Sequence, residues 1–210
     1  MRRMLPFLCL LAAAWALAVP AKAESISIMK LMAPGPLPEM ALGDPAAPVK
    51  MVEYVSLTCP HCADFHGATF DGLKSKYIDT GKVYYALREF PLDAIAFGGV
   101  MAARCAPTDQ FFPIMQTLFH EQRNWAFVDK PAPALVAVLK PYGYTYDSLT
   151  ACLDKADLAQ KIIDTAQRAE DEFNVHATPT FFINGEKHVG GTDFKALEAI
   201  LDPLLAKAGN

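Results

Sequence analysis

The sequence predicts an α/β fold in which a strand–helix–strand unit and a C-terminal hairpin–helix unit are separated by a helical block. Three observations carry this prediction. Residues 49–57, Val-Lys-Met-Val-Glu-Tyr-Val-Ser-Leu, form an apolar run of strand length that feeds directly into a helical pattern. From Asp93 to Phe173 strand signal is sparse and apolar residues recur at helical spacing. Asn184-Gly185 lies between two β-type runs and marks a hairpin, because both residues tolerate the positive φ that a tight turn requires.

The elements follow in order. Arg2 and Arg3 precede an uncharged apolar run, Met4 to Val19, and Ala21-Lys22-Ala23 has small residues at both ends of a tripeptide. This is the pattern of a signal peptide over residues 1–23, cleaved near Ala23, and it predicts export. Residues 24–45 are rich in Pro and Gly and read as an extended arm, with a short strand near Ile26 to Leu31. After the strand at 49–57, a helix is expected from Cys59 to about Tyr77, with Phe65, Thr69, Leu73 and Tyr77 on one face. Gly81 stops it. Lys82 to Phe90 is a second strand, ended by Pro91.

Four helical stripes follow. They are Ile95 to Cys105, then Phe112, Met115 and Phe119, then Leu135, Val138, Leu139 and Tyr142, and finally Leu149 to Phe173, capped by Asp147 or Ser148. The hairpin strands are Thr180–Ile183 and Lys187–Val189. A last helix begins near Asp193 with Phe194, Leu197, Leu201, Leu204 and Leu205 inward. The crossover rule makes the first two strands parallel neighbours, and the hairpin adds antiparallel strands at an edge. The layout is that of a thioredoxin fold (residues 46–92 and 174–208) with an inserted α-helical domain (93–173).

Charge and cysteine count narrow the function. Without Arg2, Arg3 and Lys22 the 19 basic residues fall to 16 against 23 acidic ones, a net −7. Such a chain, lacking basic clusters, is a poor partner for nucleic acid. Cys9 leaves with the apolar leader, so four cysteines remain: Cys59, Cys62, Cys105 and Cys152. Four allow three connectivities, and pairing 59 with 62 leaves 105 with 152. Loop entropy gives the short link about 2 kcal/mol and the long one about 4 kcal/mol, so the first is the labile candidate.

Cys59-Pro60-His61-Cys62 stands where a strand meets a helix, the position of a redox Cys-x-x-Cys motif. A sulfur at a helix N-terminus faces unpaired N–H groups and the positive end of the helix dipole, both of which favour thiolate. His61 adds a donor and positive charge, and Pro60 suits a first helical position because its missing N–H costs nothing there. Cys62, one turn in, is expected to be buried and to act as the resolving thiol. Zinc would need two further ligands at motif spacing, and no second Cys-x-x-Cys exists. Haem attachment would need His after Cys62, where Ala63 stands. No cofactor is implied. His66, His120, His176 and His188 have no motif spacing and read as surface or satisfied polar residues.

With Gly43-Asp44-Pro45-Ala46-Ala47-Pro48-Val49, Glu53, Cys-Pro-His-Cys, Arg88-Glu89-Phe90-Pro91-Leu92 and Thr178-Pro179-Thr180-Phe181-Phe182-Ile183-Asn184-Gly185 in this order, the chain resembles DsbA-type periplasmic thiol:disulfide oxidoreductases of the thioredoxin superfamily. The resemblance covers residues 43–208 and leaves the arm at 24–42 outside. It implies a monomeric dithiol oxidase that gives the Cys59–Cys62 disulfide to newly exported, cysteine-containing proteins. It also implies reoxidation by a quinone-linked membrane oxidase of the DsbB type. Thr178-Pro179 matches the family's cis-proline pair, which shapes the substrate site. Glu53 matches a buried acidic residue in proton transfer at Cys62. Some members pair that residue with a lysine, where this chain has Tyr85. Some members also carry a second disulfide where Cys105 and Cys152 fall; a pair of free buried thiols is the alternative. The rival functions are an isomerase or reductase on the same scaffold and a non-catalytic thiol metal-binding module.

Overall fold

A computed structural model describes residues 25–209; the expected signal peptide lies outside them. A five-stranded sheet of order β1-β3-β2-β4-β5 organises the chain. Its strands are β1 (Met40–Leu42), β2 (Val49–Val55), β3 (Val83–Glu89), β4 (Thr180–Ile183) and β5 (Glu186–Val189). β2 and β3 are parallel, with Glu53 opposite Leu87, and the other pairings are antiparallel. The hairpin turns on Asn184 (φ 48°) and Gly185 (φ 88°), the left-handed pair its sequence predicts.

Alternation along the strands divides the interior in two. Val49, Met51 and Val55 face a large core completed by Phe65, Leu73, Tyr85, Phe119, Trp125, Leu197 and Leu201. Val52 and Tyr54 face a smaller one with Leu31, Phe173 and Phe182. There Tyr54 meets Phe182 edge-on at 6.0 Å between ring centroids, a geometry that adds about 0.5–1.5 kcal/mol beyond area burial.

The arm departs from its expected form. Ile28–Leu31 is a short helix, α1, because Leu31 is drawn fully into the smaller core. The arm's strand is instead β1, which covers the edge of β3. The arm also ties to the hairpin, where Ile26 donates its N–H to the Gly185 carbonyl at 2.8 Å. A Cβ at residue 185 would stand 2.1 Å from the Ile26 carbonyl oxygen, so glycine is required on this count as well.

The helix expected from Cys59 to Tyr77 is broken. α2 spans Pro60–Ala68, α3 spans Phe70–Leu73, and a π-helical turn covers Lys74–Ile78. The kink falls at Thr69, whose hydroxyl bonds outward to the Thr192 carbonyl (3.2 Å). The predicted inward face survives it: Phe65, Thr69, Leu73 and Tyr77 are all buried.

The helical block contains α4 (Ala94–Cys105), α5 (Phe111–His120), α6 (Gln122–Trp125), α7 (Pro131–Leu139), α8 (Tyr146–Leu153) and α9 (Ala156–Phe173). The single helix expected over 149–173 is two, and the cap is Thr145 in a reciprocal capping box with Ser148. The division at Asp154 lets α8 hold Cys152 against α4, where it forms a disulfide with Cys105. α9 starts in the large core with Ile162 and ends in the smaller one with Ala169 and Phe173, so it closes the far face of the sheet. α10 (Phe194–Ala208) begins at Asp193, whose side chain accepts from Ala196 N.

Candidate active site

The end of β2 delivers the Cys-Pro-His-Cys motif, and the helical block holds the junction. Gln122 on α6 donates from Nε2 to the carbonyls of Leu57 and Cys59, each at 2.9 Å. Thr58 Oγ1 donates to Asp93 Oδ2 (2.6 Å), and Asp93 caps α4 through Ala96 N (2.8 Å). The loop is therefore pinned from two helices, although Gln122 carries no motif in the sequence and went unforeseen.

Cys59 is the N-cap of α2, with extended backbone, and Pro60 is the first helical residue. The structure holds Cys59 and Cys62 as free thiols. Cys59 is 5% exposed, because the opposite wall closes on it: the Thr178 carbonyl oxygen lies 3.1 Å from Sγ. The Thr178–Pro179 peptide is cis.

The two thiols are pushed in opposite directions. Cys59 is lowered to about 5, first by a hydrogen bond from the Cys62 thiol and against the opposing effect of burial; Thr178 and the backbone N–H groups of Cys62 and His61 add to it. Cys62, fully buried, is raised: burial acts first, then the bond to Cys59, then the Glu53 carboxylate. His61 acts here through its backbone. Its imidazole is 72% exposed, with Nδ1 4.0 Å from Asp64 Oδ2.

Beneath Cys62 lies a polar cluster. Glu53 is fully buried on β2, and Tyr85 on β3 donates its hydroxyl to Glu53 Oε2. Burial first, and the Glu53 charge second, push the Tyr85 phenol well above its ordinary value, so it remains a donor. His66, four residues after Cys62 on the same face of α2, is 1% exposed and brings Nε2 to 3.3 Å from Glu53 Oε2. Gln116 Nε2 donates to His66 Nδ1 (3.1 Å), and the ring stacks on Phe119 at 4.1 Å. His66 carries no motif spacing in the sequence, like His120, His176 and His188. Its i+4 spacing from Cys62 was the available signal.

Fold and site together define a thioredoxin-type protein with a cysteine pair at a helix start. A family model described as Thioredoxin matches residues 37–203. The crystal structure of alpha-DsbA1 from Wolbachia pipientis superposes with a TM-score of 0.78 at 32% identity, covering 85% of this chain and 96% of that one. A protein-disulfide isomerase from Novosphingobium aromaticivorans gives 0.67 at 27% identity, covering 82% and 98%. A provisionally named protein-disulfide oxidoreductase of Rickettsia typhi is 32% identical over 148 residues, 70% of this chain. The chain spans 55% of that relative's length. The chain belongs to the thioredoxin family and, within it, to the DsbA-type proteins.

Proposed function

We propose that this protein is a thiol:disulfide oxidoreductase of the periplasm that donates the Cys59–Cys62 disulfide to newly exported proteins. The observation that carries this reading is the asymmetry of two thiols at one helix start. Cys59 is held as thiolate while Cys62 is held as thiol. Stabilising the thiolate stabilises the reduced protein, and a stable reduced form makes the disulfide a strong oxidant.

The steps follow from the site. A substrate thiolate attacks Cys59 Sγ, the Cys59–Cys62 bond breaks, and its electron pair goes to Cys62 Sγ. A second substrate thiolate then attacks the mixed disulfide and expels Cys59 as thiolate, its favoured state. Thr178-Pro179 forms the wall along which the extended substrate segment pairs. Cys105–Cys152 braces the helical block. A DsbB-type membrane oxidase linked to quinone restores the disulfide. The chain acts as a monomer, and its leader is residues 1–23.

A reductase or isomerase would use the same scaffold, as the Novosphingobium structure's name illustrates. The lowered Cys59 thiol favours the oxidase direction. Equilibration of the Cys59–Cys62 couple against glutathione, with oxidation of a reduced unfolded substrate in the absence of metal, tests the reading. An oxidising couple that transfers its disulfide stoichiometrically supports it. A couple as reducing as a thioredoxin overturns it.

A further inference from the structure

Three polar side chains from three elements meet under Cys62: Glu53 from β2, Tyr85 from β3 and His66 from α2. Glu53 and His66 are both buried to within 1% of completely, and burying ionisable groups is unfavourable unless they are paired and hydrogen-bonded. Two of their atoms are unsaturated. Glu53 Oε1 has no hydrogen-bond partner among the described residues, and His66 Nε2 approaches Glu53 Oε2 without meeting hydrogen-bond geometry. Because Gln116 Nε2 can only donate, His66 Nδ1 accepts, and the imidazole proton sits on Nε2, toward the carboxylate. Among the described residues no lysine contacts this cluster. Apart from Gln116, the α3 and α5 side chains stacked on the ring, Phe70 and Phe119, are apolar.

We propose that His66 is the positioning residue of a Glu53–His66 proton relay serving Cys62. The proposal rests on the oxidoreductase reading and names the path of its proton. In the oxidised protein the pair holds one proton beyond that on Nε2. When a substrate thiolate attacks Cys59 and the disulfide electrons pass to Cys62 Sγ, this proton moves from the Glu53 carboxyl to that sulfur. The step leaves a mixed disulfide at Cys59, a thiol at Cys62 and a carboxylate at Glu53. Tyr85 O–H and His66 Nε2–H then face the carboxylate's charge. In the reverse step Cys62 returns the proton to Glu53 as it attacks the mixed disulfide and expels the partner thiolate.

The test isolates that reverse step. Glutathione is loaded on Cys59 as a mixed disulfide, and its release by Cys62 is followed across pH. His66→Phe, which keeps the aromatic stack, is expected to slow release about tenfold or more and to change its pH profile. His66→Gln, which restores a donor, is expected to recover part of the rate. In both, alkylation of Cys59 keeps its midpoint near 5. In the unchanged protein, the His66 ring-nitrogen NMR signals are expected to differ between reduced and oxidised forms, a readout that needs no variant to fold. An unchanged pH profile in folded His66→Phe, or identical His66 signals in the two redox states, overturns the relay and leaves the oxidase reading standing. Failure of the unchanged protein to release glutathione at all overturns both.

Discussion

Glu53 and Glu89 are two fully buried carboxylates on neighbouring parallel strands, and their partners set them apart. Arg104 meets Glu89 through its Nε, and also donates to the Pro38 carbonyl (2.8 Å) and stacks on Phe111 (4.9 Å). A guanidinium keeps its charge at every accessible pH, so Glu89 always faces a fixed positive charge. Glu53 faces a phenol and an imidazole instead, neither of which carries the fixed charge of a guanidinium. The same residue type, equally buried, thus meets a fixed charge in one place and hydrogen-bonding groups in the other, and the proposed relay gives only the second a proton to exchange. Burial alone does not distinguish them.

The largest effect should come from breaking the fixed pair. Arg104→Met leaves an uncompensated buried charge at Glu89 and should cost about 3–5 kcal/mol in chemical denaturation. Glutathione release by Cys62 should keep its pH profile. A loss below about 1 kcal/mol would mean that Glu89 is no strut. Glu53→Gln should cost less, under about 2 kcal/mol, since the amide oxygen can still accept from Tyr85. Here the change should fall on kinetics, with slower Cys62 attack; a stability loss as large as that of Arg104→Met would erase the contrast. Tyr85→Phe removes one donor to Glu53 and should cost about 1 kcal/mol by the same measurement, with a mild shift in the release profile.

A pH series tests the cysteine pair itself. Cys59 is lowered from 9.0 to about 5, so between these values the unfolded reduced chain binds a proton that the folded one does not. The stability of the reduced form relative to the oxidised form should therefore rise with pH across this window and be lost as pH falls through about 5. Cys62, raised, contributes nothing until the pH exceeds its unfolded value. Parallel denaturation of both redox forms from pH 4 to 8 measures this. A flat difference would show that Cys59 is not held as thiolate.

Local chemistry was legible in most places where it depended on near neighbours, the Thr145 cap and the i+4 spacing of His66 from Cys62 being the exceptions. The parallel pair, the hairpin at Asn184-Gly185 and the start of the last helix near Asp193 follow from period and turn residues read within a few positions. Cys59 at a helix start could be read in the same way, because its thiolate is favoured by backbone groups three residues away or fewer. The kink at Thr69 could not, since the hydroxyl's partner, Thr192, is 123 residues distant. Nor could the division between α8 and α9, which the link to Cys105 accompanies, or the replacement of an arm strand by a short helix.

Sequence by itself determined that a cysteine pair would sit at the junction of a strand and a helix, with Thr178-Pro179 elsewhere in the chain. Only the tertiary structure decided what surrounds that pair. It brought the Thr178 carbonyl to 3.1 Å from Cys59, Gln122 onto the loop, and His66 and Tyr85 onto Glu53. The physical reason is range. A helix end acts on a sulfur within one turn, whereas the partners of a buried carboxylate are chosen by which faces of β2, β3 and α2 pack together.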